Sequence, residues 1–470
     1  MKLGSSSVLL LCASALSAQG QVWTVDDSAA TAPDFTDLQT AIDTVASGDV
    51  LLVRSGNYPM MRIRGKSLTL QAEDGATVNI VNGANPWPPP LCDVSGVLIC
   101  NLGPSQSVRL RGLTIQAKSQ GLLLSSNAGL VWIEDCSILC VDHALGILNG
   151  CAGSGAGLLA RDCQDIVLVR TDFTGTDGEG CNLWGGCEDC NDSNLTGGAG
   201  LELDSSNLHA FGCSFQGGMG RGRYGSRCEF ERQKGGYGVR GYGNPAPFLF
   251  LSDCTLRGGV GFGCVEGESC FCEHNIGGDG LFWEGPAAVL DSTIEEGATT
   301  GVACAPECPP IEVGVPVTPD ADLVLDPLPG QALRMRIASP VREGGTIDIA
   351  FEGPLDARVW LVASTSAEAL YLDVPGHPRG TLLVGAPRWF VFAGRTDASG
   401  ILTRSYTLGP LPPGLDAQIF FGQALALIPS LGPGRGQHAR GARRVALIDR
   451  RRGHPTTGAR RSREPRPRPG

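Results

Sequence analysis

The chain has 470 residues, of which 42% are hydrophobic and 18% charged, and it holds 67 Gly and 31 Pro. It is too apolar for wholesale disorder and lacks glycine at every third position, which excludes a disordered or collagen-like chain. Its formal charge of −11 is uneven: from Leu431 onward 12 Arg face only Asp449 and Glu464, a local +10 that leaves the rest at −21. So acidic a body repels phosphate backbones, which argues against a nucleic-acid partner.

Met1 to Gly20 reads as a secretory signal, with Lys2 at its start, an apolar stretch from Val8 to Leu16, and small residues around Ala18 and Gly20 for cleavage. Cys12 follows three leucines and lacks the small residue that a lipoprotein box places before its cysteine. No later apolar run reaches the roughly 18 residues needed to span a bilayer, so a secreted, extracellular or cell-surface location without a membrane span is expected. Of the 18 Cys, all but Cys12 lie between Cys92 and Cys308. That crowding in a Gly-rich region points to an oxidising compartment and disulfides, and the odd count of 17 leaves one thiol unpaired.

After the signal, Phe35, Leu38, Ile42 and Val45 fall at helical spacing, with Asp34 placed to cap the helix and Gly48 to stop it. Brief strands follow at 50–53, 61–63, 67–70 and 76–80, with a turn at 55–58. The main signal is an internal repeat. Five units open with Gly followed by an apolar residue, at Gly121, Gly157, Gly200, Gly238 and Gly280. Each has a second strand ending in Cys136, Thr171, Cys213, Cys254 or Ser292, then a skipped residue and an apolar one. An earlier half-unit around Leu113 and Ile115 lies 23 residues ahead of Cys136, about one turn of a coil of three short strands and three corners. Variable loops interrupt the units, and Cys136, Cys213 and Cys254 form an inward, structural column of small thiols.

These features, from Asp34-Phe-Thr-Asp-Leu-Gln through Val50-Leu-Leu-Val and Ser55-Gly-Asn-Tyr58 to the repeats, resemble the right-handed parallel β-helix family, the pectate-lyase-like superfamily, over about Trp23 to Gly301. The resemblance implies that the entry helix caps the open end of the coil. Seven prolines between Cys304 and Gly330 mark a linker. Seven further strands, at 333–337, 345–351, 358–362, 380–384, 389–392, 401–406 and 417–421, predict a small antiparallel β-sandwich over 331–430. That module resembles C-terminal accessory domains of large secreted proteins from Gram-negative bacteria such as planctomycetes, through Arg395-Thr-Asp-Ala-Ser-Gly400 and Gly422-Gln-Ala424. The Arg-rich tail, 431–470, has no apolar periodicity and reads as disordered, either a basic arm or an extension translated beyond the true frame. The fold class is thus all-β: a signal at 1–20, a β-helix at 21–303 with a short capping helix, a linker at 304–330, the sandwich and the tail.

Asp135, Asp253 and Asp291 share one repeat position, and stacking would set Asp253 and Asp291 about 5 Å apart, near the spacing of a retaining glycosidase pair. The same position also suits an outward Asp beside a corner. Asn-Thr-Asp and Gly-His-Gly hydrolase elements, which the resemblance would call for, are absent, and no spacing singles out a basic residue for lyase chemistry among Lys118, Lys234, Arg221, Arg223 and Arg240. The acidic loop with Asp177, Glu179, Glu188, Asp189 and Asp192 offers hard oxygen ligands for Ca2+, the one cofactor considered, or is a solvated, disulfide-tied loop. Cys187-x-x-Cys190, Cys270-x-Cys272 and Cys304-x3-Cys308 read as local disulfides rather than zinc ligands. The expected function is a secreted, non-catalytic scaffold or glycan-binding module whose partner is an extracellular polysaccharide or cell-envelope component. The alternative is a polysaccharide lyase or glycoside hydrolase.

Overall fold

In the computed structural model, the five apolar residues that follow the opening glycines fall into one column: Leu122 pairs with Leu158, then Leu201, Val239 and Leu281, all parallel and in register. The structure describes residues 20–28, 32–81, 95–117, 120–140, 155–178, 196–220, 234–262, 276–300, 314–318, 323–328, 330–337, 344–372, 380–407, 409 and 420–427. The repeat winds as a right-handed parallel β-helix with three faces. The first face starts at Val22–Val25 and ends at Val324–Leu328; the second runs from Gly56–Pro59 to Thr293–Glu295, and the third from Met61–Arg64 to Leu281–Trp283. Two long strands, Gln120–Glu134 and Leu158–Val169, turn from the third face onto the first without a break.

Inward side chains stack like with like. On the first face Leu51, Leu70, Leu110, Ile133, Leu168, Ala210 and Leu251 follow one another, and on the second Phe173 stacks on Phe215 with ring centroids 5.5 Å apart. Each fully buried Leu, Ile or Phe in these columns contributes about 1.5–3 kcal/mol. Gly241 lies in the column that ends at Trp283, and a Cβ there would sit 2.1 Å from the buried indole, so the missing side chain makes the room the ring fills.

The repeat grammar has a physical origin at two corners. Between the first and second faces Gly112, Asp135, Arg170, Gly212, Asp253 and Asp291 all have positive φ, from 46° to 71°. This left-handed residue turns the chain and explains the Asp and Gly found there. The next residue closes the hydrogen bonds that the turn opens. Its hydroxyl or thiol donates to the carbonyl two residues back, as Cys136 does to Glu134, Thr171 to Val169, Cys213 to Phe211, Cys254 to Ser252 and Ser292 to Leu290. The same atom also accepts from the coil before: Leu113 N donates to Cys136 Sγ at 3.5 Å, Cys136 N to Thr171 Oγ1 at 3.4 Å, and Cys254 N to Ser292 Oγ at 3.0 Å. The corner between the third and first faces repeats the device with Asn101, Ser126, Asp162 and Ser205 at positive φ and Asn127, Cys163 and Ser206 closing the bonds.

At the third corner, between the second and third faces, the structure carries interleaved glycine segments instead. Outgoing Gly218 and Gly259 alternate with incoming Gly198, Gly236 and Gly278 in one ladder of 2.7–2.8 Å backbone hydrogen bonds. These glycines are close-packed backbone: a Cβ on Gly218 would lie 1.8 Å from the Thr176 carbonyl oxygen.

Several expectations are corrected. The helix is shorter, Leu38–Thr44, and Asp37 is its N-cap, accepting from Thr40 N, because Asp34 is taken by Thr24 N and Oγ1. Val324–Leu328, inside the predicted linker, is a further coil paired in parallel with Pro286–Leu290. Its Pro327 has no N–H to offer a next strand, which blunts this end. Cys136, Cys213 and Cys254 are the buried thiols expected at their shared repeat position, and Cys100, Cys140 and Cys163 are free thiols too, where the cysteine crowding had suggested disulfides; four of the six are employed at the corners. Burial pushes the Cys136 thiol up to about 12, which keeps it protonated and able to donate. The remaining cysteines lie outside the described residues.

The C-terminal sheets are antiparallel. Arg334–Ile337, Thr346–Glu352 and Ile401–Thr407 form one, Trp389–Arg395, Arg358–Ser364 and Phe421–Leu427 the other, with Phe351, Val359 and Leu402 between them. A hairpin of Ala367–Leu372 and Gly380–Val384 adds a strand the sequence reading lacked, and the last strand begins at Phe421, four residues after its predicted start. The predicted tail lies outside the described residues.

Replacing Thr171 by Val removes the hydroxyl that serves both Cys136 N and Val169 O, and is expected to cost about 1–3 kcal/mol of unfolding free energy by denaturant titration. Gly218→Ala is expected to lose at least as much, since the obstructing atoms are backbone and have little freedom to move away; a melting curve like that of the parent chain would contradict the packing of this ladder.

Candidate functional site

The outward positions of the third face change character along the coil axis. The column two residues after each opening glycine reads Leu123, Leu159, Glu202, Arg240, Phe282, each paired with the next. Leu123 and Leu159 are covered, whereas Glu202, Arg240 and Phe282 are half-buried. Two residues farther along the same strands stand Asp204 and Tyr242, and Tyr237 enters just before Gly238. Strand alternation puts Glu202, Asp204, Arg240, Tyr242 and Phe282 on one side, since residues i and i+2 share a face, while Tyr237 precedes its strand and reaches the group through its ring.

Arg240 is the centre of the group. Its guanidinium lies 4.9 Å from the Tyr242 ring centroid, 5.4 Å from that of Tyr237 and 5.8 Å from that of Phe282, and 4.0 Å from Glu202 Oε1. Its Nε is buried without a hydrogen-bond partner. Tyr242 donates its hydroxyl to Glu202 Oε1 at 2.6 Å, and burial first, then that carboxylate, pushes its pKa up to about 12, so it remains a donor. Lys234 sits over the Tyr237 ring at 4.5 Å and donates to the buried Asp279 at 3.0 Å, while Asp279 also accepts from Thr318 Oγ1 and Val315 N. The result is a row of rings with carboxylate and guanidinium groups between them, about 10 Å long over three coils.

The sequence candidates lie elsewhere. Asp253 and Asp291 do stand on successive coils, at the first corner, where Asp253 N donates to Leu290 O. Both are tied to the C-terminal sheets or their approach: Arg334 grips Asp253 with two bonds of 2.5 Å, and Ala332 N donates to Asp291 at 3.1 Å. Asp135 receives Arg170 Nε at 2.7 Å and Arg111 Nε at 3.3 Å. Asp177 accepts from Met219 N at 2.8 Å. Glu179, Glu188, Asp189 and Asp192 lie outside the described residues, among which no cluster of three potential metal ligands occurs.

The first face is occupied by the sandwich. Trp132 and Val167 pack with Leu383 and Phe421, and Phe250 and Ala288 with Tyr371. His209 Nδ1 lies 2.9 Å from Thr381 Oγ1 in this seam, and burial lowers its pKa from 6.5 to about 4. Glu134 is nearly inaccessible there. Burial would raise its pKa, but Arg109, Arg111 and Arg170 outweigh that and hold it below the ordinary carboxylate value.

Sequence reasoning named Arg240 and Lys234 only as unplaced cations and passed over Tyr237, Tyr242, Glu202 and Phe282. The signal was present in the repeat: counting two and four residues from Gly200, Gly238 and Gly280 gives Glu202, Arg240, Phe282, Asp204 and Tyr242.

No protein-family model matches the chain, and no curated protein does. Among solved structures, it is similar to a pectin methylesterase from Aspergillus niger, with 11% identity and a TM-score of 0.25 over 68% of this chain and 93% of that one. It is also similar to a pectate lyase (11%, TM-score 0.26, 61% and 78%) and to the tailspike protein of an Acinetobacter phage (12%, TM-score 0.21, 81% and 82%).

Because the unfolded chain binds the His209 proton at 6.5 and the folded chain only at about 4, folding stability falls as pH drops from 6.5 toward 4 and levels off below. The loss amounts to roughly 3 kcal/mol. His209→Asn, which has no proton to bind in this range, should flatten that part of the stability-against-pH curve; an identical slope in parent and variant would assign the titration to other groups.

Proposed function

We propose that this chain is a secreted, non-catalytic β-helix protein that binds an extended extracellular glycan along the outer side of its third face. One observation carries the reading: the row of Tyr237, Tyr242 and Phe282 rings interleaved with Glu202 and Arg240. Ring faces suit the C–H faces of pyranoses, while carboxylate and guanidinium groups accept from and donate to hydroxyls. The group extends over three successive coils, with Glu202, Arg240 and Phe282 in line, and so favours an extended ligand over a compact one. The net charge of −21 outside the tail disfavours a polyanion and favours a neutral chain. The signal-like N-terminus supports export.

The test is affinity electrophoresis or calorimetry of the full chain against a panel of neutral and acidic polysaccharides. Arg240→Ala and Tyr242→Ala are each expected to weaken binding of the recognised polymer about tenfold or more, with the fold retained by circular dichroism. Binding untouched by both substitutions would move the site elsewhere. Release of new reducing ends or unsaturated uronate from any member of the panel would replace the binding reading with the catalytic one.

A further inference from the structure

One cluster in the seam between coil and sandwich holds more guanidinium groups than carboxylates. On the outer side of the first face Gln71 stands beside Arg111, and Thr69 beside Arg109, with Trp132 and Glu134 on the following coil. Glu134 accepts from Arg109 at 2.5 Å, from Arg170 at 2.8 Å and from Trp132 Nε1 at 3.2 Å. Asp135 takes Arg170 and Arg111. Three guanidinium groups therefore share two carboxylates. Arg109 and Arg111 have side chains only 14% and 11% exposed, and Arg109 also lies 5.7 Å from the Phe421 ring of the sandwich, so most of this charge is withdrawn from bulk water.

Two donors of the same face end on nothing. Among the described residues Gln71 Nε2 and Arg109 Nε are buried without a hydrogen-bond partner, and Gln71 is more than nine-tenths buried. Orphaned donors of this kind are costly and rare in folded proteins. A trapped water would satisfy the amide but leave the guanidinium surplus uncompensated. A small anion does both at once, and guanidinium forks favour one with several acceptor oxygens over a single-point halide.

We propose that this seam is a binding site for one small oxyanion, a carboxylate or a tetrahedral sulfate or phosphate, held by Gln71 Nε2, Arg109 Nε and the remaining N–H groups of Arg111. The site is separate from the glycan row on the third face and does not depend on that reading. Because Arg109 sits beneath Phe421, an anion bound there ties the sandwich to the coil, and its affinity adds to the folding stability of the chain.

The experiment is isothermal calorimetry and thermal unfolding of the full chain in sodium sulfate, sodium phosphate or sodium acetate, each at an ionic strength matched with sodium chloride. At least one of the three should give a saturable heat and a saturable rise in melting temperature that chloride does not. The acetate arm separates a carboxylate ligand from an inorganic one. Gln71→Leu and Arg109→Lys each delete one orphaned donor, the second while keeping the charge, and each should weaken the affinity about tenfold. If one variant fails to fold, the other and the parent chain decide. No saturable response to any of the three salts, or affinities unchanged in the folded variants, would overturn the proposal.

Discussion

Everything in this molecule depends on one coil lying on the next with its peptide groups in register. A strand can do that indefinitely, but a corner cannot, because the chain must turn and the turn takes backbone N–H and C=O groups out of the ladder. Two corners solve the problem with a pair of adjacent residues: one in the left-handed region to change direction, the next with a short hydroxyl, thiol or amide to restore the lost bonds. That pair explains why Cys, Thr and Ser exchange freely at one repeat position, since each offers one donor and one acceptor at the same distance from the backbone. The buried thiols are therefore hydrogen-bonding groups that also pack well, and their burial agrees with an unreactive role.

The three faces divide the remaining tasks. The first is covered by the sandwich through Trp132, Phe250 and their partners, with Arg334 on Asp253 as an ionic tie. The corner between the second and third faces is filled by the glycine ladder. The third face keeps a half-open row of rings and charges near the C-terminal coils, and so offers the surface on which the chemistry of a ligand can be read. The Arg334 tie also gives Asp253 a structural occupation, which is why a column of aligned carboxylates need not be a catalytic pair.

Much of this was legible in the sequence, and the rest was hidden for definable reasons. The stacking of Gly121, Gly157, Gly200, Gly238 and Gly280 followed from spacing alone, because a parallel coil converts sequence period directly into spatial columns. Glycine itself was ambiguous: a turn and a close backbone approach call for the same residue, and only the neighbours, such as Thr176 beneath Gly218, distinguish them. Asp34 was read as the cap because it precedes the apolar period, but Thr24, ten residues earlier, claims it and leaves Asp37 to cap the helix. The coil at Val324–Leu328 was masked by prolines, which a terminal strand tolerates since nothing lies beyond it to be bonded. The ring row was missed because Glu202 and Phe282 join Tyr237, Arg240 and Tyr242 only across neighbouring coils, where no local motif unites them.

The glycine ladder has an evolutionary corollary. Gly236 N donates to Gly218 O and Gly278 N to Gly259 O, so the ends flanking residues 219–235 and residues 260–277 are held together by backbone bonds. Whatever is spliced between those ends neither shifts the strands on either side nor alters the pitch of the coil. The scaffold thus separates inheritance of architecture from inheritance of surface: insertions can lengthen, shrink or be exchanged between coils, and foreign peptides grafted at these openings should leave the framework undisturbed.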